Sequence, residues 1–279
     1  METRVLKGFR CRDDEAGFAR LSFVALSSVL VLATLLAGRS PHFDLKTIEV
    51  RNLPENSPVS ADELIALSGL QVEADALIYL PLSRVSSRIH EEPWVKSVHI
   101  EKVPPSSLVL EVQLKNPVAV FQGQKGELRW VDESGELFGM VDPSRTGHQN
   151  ALDLPMISGL DASVDRSKLA DAASFLVNWK QVLQTDGNLK AELSSLSYSE
   201  KKGWRGWLSY SVDDRQKQTS GRARMSVDLG ATLDSADGEA SRLNRIRSVL
   251  SYIRDRGILA RHLFADGDKK IVVKLASDS

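Results

Sequence analysis

Cysteine occurs once in 279 residues, at Cys11, which excludes an intramolecular disulfide framework and any cysteine-built zinc site. Net charge is lacking too. With 36 Lys+Arg against 37 Asp+Glu, the chain has none of the basic excess that a nucleic-acid binder needs. The five histidines (His42, His90, His99, His148 and His262) are scattered and form no i, i+4 pair beside a glutamate in the zinc-helix pattern. There is no P-loop, no G-x-G-x-x-G and no G-x-S-x-G elbow. The expectation is therefore a non-enzyme, with no catalytic, cofactor-binding or metal-binding residue, no nucleic-acid partner and no small-molecule substrate. Apolar residues are not scarce: 42% apolar and 6% aromatic content exclude wholesale disorder, and the length allows two modest globular units.

A further absence is local. Between Arg20 and Arg39 no side chain ionises, and residues 21–38 (LSFVALSSVLVLATLLAG) form an 18-residue window without charge. As a helix rising ~1.5 Å per residue this spans roughly 27 Å, close to a hydrocarbon core of ~30 Å once the flanks snorkel. Its four hydroxyls can bond back to the helix carbonyls. Leu21, Phe23, Val29, Leu32 and Leu36 are the expected lipid-facing anchor. A cleaved signal peptide is the competing reading. It would want a shorter apolar core and a small-x-small exit, and the head of both charge signs argues against it. The head carries Arg4, Lys7, Arg10, Arg12 and Arg20, whereas Arg39, Lys46 and Arg51 follow the window. That bias predicts a cytoplasmic N-terminus and an exported C-terminal bulk. Cys11 would then lie in the reducing compartment and the cysteine-free remainder in an oxidising one.

After the window, 44–53 alternates as a half-buried strand, with Ile48 and Val50 on one face. Ser60 and Glu63 form a capping box ahead of a short helix that Gly69 should end. Leu82, Val85 and Ile89 recur at helical spacing behind Pro81. Two strands, 94–103 and 108–115, flank Pro104-Pro105-Ser106-Ser107, and in the second Leu108, Leu110, Val112 and Leu114 share a face. The order is β-α-α-β-β.

That order fits a POTRA domain. The string Trp94-Val95-x-x-Val98-x-Ile100-Glu101-Lys102-x-x-Pro105-x-x-Leu108-x-Leu110-x-Val112, followed by Asn116-Pro117-Val118-Ala119, resembles the passage from POTRA to β domain in the bacterial cell-division family FtsQ/DivIB. Members usually have Arg and Glu where this chain has Lys102 and Asn116.

Farther on, 128–140 reads as a hairpin around a turn at Asp132–Gly135. Its carboxylates Asp132, Glu133 and Glu136 are expected to serve that turn, since a glycosidase needs two carboxylates facing each other across a cleft. Leu169, Ala172, Ala173, Leu176 and Leu183 mark an amphipathic helix; Leu243, Ile246, Leu250 and Ile253 mark another, ended by Gly257. Strands are expected at 207–210 and 225–229, separated by a charged stretch from Asp213 to Arg224. Trp204 and Trp207 beside Arg205 read as buried tryptophan next to a turn arginine, and Arg242, Arg245 and Arg247 as a solvated helix face.

These segments also resemble FtsQ: Trp130-Val131-Asp132-x-x-Gly135-x-Leu137-Phe138, Leu154-Pro155-x-Ile157-x-Gly159, Val227-x-Leu229-Gly230 and the helix at Arg242-Leu243. One departure is Leu263-Phe264-Ala265-Asp266, where members often carry Ile/Val-Asp-Leu-Arg. The expected fold class is α+β: cytoplasmic tail 1–20, transmembrane helix 21–38, POTRA domain 43–115, a mixed α/β FtsQ-type β domain with a mainly antiparallel sheet at 116–276, and tail 277–279.

Ile271, Val272, Val273, Lys274 and Leu275 form a last strand close to the chain end, a natural place for a sheet edge. Either Lys269, Lys270 and Lys274 guard that edge, or a partner's strand completes the sheet by β-augmentation. The resemblance implies the second: a bitopic divisome scaffold that recruits and regulates septal cell-wall synthesis through FtsB-like and FtsL-like bitopic proteins and other divisome components. It also implies residence in the cytoplasmic (inner) membrane at the septum, with an extracytoplasmic C-terminus. The alternative from another class is a membrane-anchored POTRA-type periplasmic chaperone or secretion adaptor.

Overall fold

The computed structural model describes residues 26–29, 43–142, 144, 153–184, 191–214, 219–233, 239–267 and 270–276. These fall into two units. The first takes in Ala61–Glu91 and Ser97–Val112 with the chain up to Leu53; the second takes in Pro54–Ser60, Glu92–Lys96 and the chain from Gln113 onward.

In the first unit, β1 (Thr47–Arg51), α1 (Ala61–Ser68), α2 (Leu82–Ile89), β2 (Val95–Val103) and β3 (Ser107–Leu114) follow the expected β-α-α-β-β order. Asp62 and Glu63 sit in the first turn of α1, where the helix dipole favours acids, and Gly69 (φ +67°) stops it. Val85 and Ile89, four apart on α2, are both buried. The sheet order is β1-β3-β2, with β1 parallel to β3. Alternation along β3 buries Leu108, Leu110 and Val112 completely. Lys102 donates from Nζ to the Ile78 carbonyl at 2.9 Å, and burial lowers its pKa.

Among the described residues the second unit contains a sheet of nine strands: β4 (Pro117–Gln122), β5 (Leu128–Asp132), β6 (Leu137–Met140), β7 (Met156–Ser158), β8 (Ala191–Ser199), β9 (Gly203–Asp214), β10 (Thr219–Gly230), β11 (Ala260–Phe264) and β12 (Val272–Leu275). The order across it is β12-β11-β10-β9-β8-β7-β4-β5-β6. Neighbours are antiparallel except at β11-β10, β8-β7 and β7-β4. Helices α3 (Arg166–Gln184) and α4 (Glu239–Asp255) bury Leu169, Ala172, Phe175, Leu176, Leu243, Ile246, Leu250 and Ile253 against the inner row of Trp204, Leu208, Tyr210, Met225, Val227 and Leu263. Trp94 joins this unit edge-on to Trp130 and Phe138, each ring centroid 5.1 Å away.

Of the hairpin's three acids only Asp132 serves the turn with its side chain; Glu133 accepts from Asn116 Nδ2 at 2.7 Å and Glu136 from Lys115 Nζ at 3.4 Å. Asp132 Oδ1 accepts from the Ser134 amide, the Ser134 hydroxyl and the Glu136 amide. At Gly135 (φ +81°) a Cβ would be driven into the backbone of Ala170 on α3. Gly257 (φ +63°) closes α4 with two backbone bonds, from its own amide to Arg254 and from Ile258 to Ile253.

Three expectations are corrected. The charged stretch 213–224 is no linker: β9 runs to Asp214, β10 starts at Thr219, and Arg222 and Arg224 lie inside the ladder on its solvated face. Arg205 is in β9, not in a turn, and only Trp204 of its two tryptophan neighbours is buried; Trp207 is 48% exposed. Arg242 is buried rather than solvated, with Nη1 donating at 3.0 Å to both the Leu229 and Thr232 carbonyls. One guanidinium nitrogen thus serves two carbonyls, one near the end of β10 and one just beyond it.

Candidate partner-binding site

Among the described residues β12 is the end strand of the sheet and has one neighbour, β11, with Leu263 opposite Val273, His262 opposite Lys274 and Phe264 opposite Val272. Residues directly opposite in an antiparallel pair share a face. Val273 therefore points inward with fully buried Leu263, and both Val273 and the preceding Ile271 pack on the core. Val272 and Lys274 point to the outer face and are exposed, Val272 at 58%. Leu275, 55% exposed, pairs with Ala260 across a bulge that lies on β11, so β12 itself stays regular. The Ala276 amide bonds inward to the Leu259 carbonyl at 2.9 Å. By alternation, the backbone N–H and C=O of Leu275 and Val273 face away from β11, toward the open edge.

Behind the edge the register lines up two outer rows across five strands. One is Ser195, Trp207, Ser226, His262 and Lys274; the other is Ser197, Arg205, Asp228, Phe264 and Val272. Arg205, Trp207, Arg224, Arg261, Phe264 and Lys274 line a shallow concavity over these rows. Its floor is polar and connected. Arg205 grips Asp228 through Nε to Oδ1 at 2.6 Å and Nη2 to Oδ2 at 3.2 Å, His262 Nε2 shares Oδ2 at 2.9 Å, and the His262 Nδ1 is hydrogen-bonded to Ser226 Oγ. Burial alone would raise the Asp228 pKa, but Arg205 and His262 outweigh it and hold the carboxyl below its ordinary value. On the inner face the Tyr210 hydroxyl accepts from the Ala260 amide at 2.8 Å and donates to the Ala260 carbonyl at 3.3 Å. Burial raises its pKa.

The expected edge residues are thus brought together: Val272, Val273, Lys274 and Leu275 within β12, and Ile271 just before it. Lys270 is exposed and Lys269 lies outside the described residues. Of the expected anchor, Leu21, Phe23, Leu32 and Leu36 lie outside the described residues, and Val29 belongs to an exposed helical turn, 26–29. Among the described residues no helix is long and apolar enough to cross a membrane. Nor do they include a group of three or more His, Cys, Asp or Glu arranged to hold a metal ion. Tyr210, Ser226 and Asp228 had no role in the sequence reading. For Ser226 and Asp228 the signal was the alternation 224/226/228 facing 205/207.

The end strand of the sheet thus carries exposed apolar side chains beside a polar, hydrogen-bonded outer face. Residues 43–113 match the family description "POTRA domain, FtsQ-type", and residues 119–257 match "Cell division protein FtsQ/DivIB, C-terminal". The chain belongs to the FtsQ/DivIB family of non-enzymatic cell-division scaffold proteins. It is similar to the cell division protein FtsQ of Syntrophotalea carbinolica, 26% identical over 273 residues that span 92% of this chain and 86% of that one. FtsQ of Geotalea daltonii is 26% identical over 248 residues, 86% of this chain and 78% of its own. FtsQ of Myxococcus fulvus reaches 32% over 122 residues, 44% and 39% of the two chains.

Proposed function

We propose that this cell-division protein is a bitopic divisome scaffold that binds FtsB-like and FtsL-like partners by β-augmentation at β12, and so recruits and regulates septal cell-wall synthesis. In this reading residues 21–38 anchor it in the cytoplasmic membrane with the N-terminus inside and the two units outside.

The observation that carries the reading is the free side of β12. The Val273 and Leu275 backbone groups face outward, and Val272 and Leu275 leave apolar side chains in solvent at the same place. Lys274 guards such an edge poorly by itself, since it projects over the outer face rather than across the edge.

The test exploits the inward bond of Ala276. Leu275→Pro deletes one outward N–H without touching the bonds to β11, and its side chain is exposed enough to lose. Leu275→Ala keeps the donor. Co-purification of the organism's FtsB-like and FtsL-like proteins should fall for Leu275→Pro and persist for Leu275→Ala. Equal capture by both variants would sink β-augmentation. Val273 is the poorer position, because its half-buried side chain packs on the core and a charge there would disturb the fold.

A further inference from the structure

Among the described residues β12 pairs with β11 alone, and β11 is joined to β10 over three residue pairs: Ser226 with His262, Val227 with Leu263, and Asp228 with Phe264. The middle pair is the apolar seam facing the helices, both side chains fully buried. The two outer pairs hold the polar chain. It begins on β9 at Arg205, crosses to β10 at Asp228, passes to β11 at His262 and returns to β10 at Ser226. Asp228 contributes its main chain as well, accepting the Ala265 amide at 2.8 Å where β11 ends. The Asp228 and His262 side chains are only 21% and 17% exposed. Loss of one partner there would leave its neighbours part-buried and unsatisfied, so the arrangement is sharply defined. His262 in turn lies directly opposite Lys274 and is tilted against Phe264, with ring centroids 4.1 Å apart.

We propose that the Arg205–Asp228–His262–Ser226 chain is a positioning device for the partner-binding edge, with Asp228 as its central positioning residue. The proposal rests on the edge-strand reading above. The chain touches no partner. It fixes the height and angle at which the β11–β12 hairpin leaves the sheet, and so where the outward groups of Val273 and Leu275 stand when an incoming strand arrives. The parallel seam to β10 is only three pairs long, and hydrogen bonds with defined directions add to the apolar packing of Ala260, Leu263, Ile271 and Val273 in fixing the hairpin's tilt. Edge affinity then depends on residues two strands away through pre-organisation.

The test replaces the polar chain by a covalent tie. Ser226 and His262 are register partners on adjacent strands, which lie ~4.8 Å apart, within the span of a disulfide. In full-length protein carrying Cys11→Ser, the Ser226→Cys/His262→Cys variant is measured against the organism's FtsB-like and FtsL-like proteins. Reduced, it should bind about tenfold more weakly than the Cys11→Ser parent, the effect of losing one charge-assisted hydrogen bond. Oxidised, it should recover the parent's affinity. Asp228→Asn should weaken binding to a similar degree and speed amide exchange across β11 and β12 while leaving β8 and β9 as they were. Parent-like affinity in the reduced variant overturns the proposal, as does failure of a formed disulfide to restore binding. If no disulfide forms, the exchange pattern of Asp228→Asn decides, and unchanged exchange at β11 and β12 overturns it. Failure of the edge reading looks different, because Leu275→Pro would then bind normally whatever the polar chain does.

Discussion

At Tyr210 one phenol hydroxyl answers two backbone groups, the amide and the carbonyl of Ala260, at the bulge where β11 begins. Removing it leaves both buried without a partner, and a buried unsatisfied group costs about 1–3 kcal/mol. Tyr210→Phe should lower the unfolding free energy by that amount in chemical denaturation, although the ring still fills its place; an unchanged midpoint would mean the hydroxyl is idle. Asp228 adds a pH-dependent contribution. Its carboxyl pKa is lowered in the fold, so the stabilisation is present above its unfolded value of about 3.9 and is lost as pH falls through the folded value. The gap between the wild type and Asp228→Asn should therefore be full at neutral pH, about 1.5–3 kcal/mol for charge-assisted bonds, and should close in acid below about pH 4. A gap independent of pH would contradict the ion-pair assignment.

At the scale of the element, turns impose stricter terms than strands. Gly159 follows β7 with φ +81°, and a Cβ there would meet the Tyr198 carbonyl on β8. Gly159→Ala should cost more than the ~1 kcal/mol of an ordinary backbone change, because space and dihedral both refuse it; thermal unfolding measures this, and a shift within error would argue against the β7–β8 register.

The same scale explains what could be read from the residues alone. The regular elements were legible: α3 and α4 carry unbroken apolar stripes, and the hairpin at Asp132–Gly135 carries its turn chemistry openly. The strands β8 and β11 were not, and for one reason. Each contains a bulge, between Leu193 and Ser195 in β8 and between Ala260 and His262 in β11. Inward residues then fall three apart, Leu193 with Leu196 and Ala260 with Leu263, which breaks the period of two that marks a strand. β10 hid differently. Arg222 and Arg224 look like a linker until β9 is set opposite, where Ser211 and Ser209 show that the arginines occupy a solvated face. The open edge could be anticipated from a short apolar run near the chain end. The polar chain behind it could not, since Arg205, Ser226, Asp228 and His262 meet only through the register of three strands.

Across the whole molecule, the 36 cations and 37 anions nearly cancel, so long-range attraction contributes little to partner choice. In the proposed reading recognition falls to backbone groups and local shape, and β12 would offer both at the end of a sheet whose opposite edge among the described residues is β6. The most direct measurement is residue-resolved amide exchange at β12 with and without the FtsB-like partner. The account predicts that the Val273 and Leu275 amides, which face the open edge, become strongly protected on binding, while the inward Lys274 amide changes little. Tight binding that leaves Val273 and Leu275 exchanging as fast as in the free protein would contradict it.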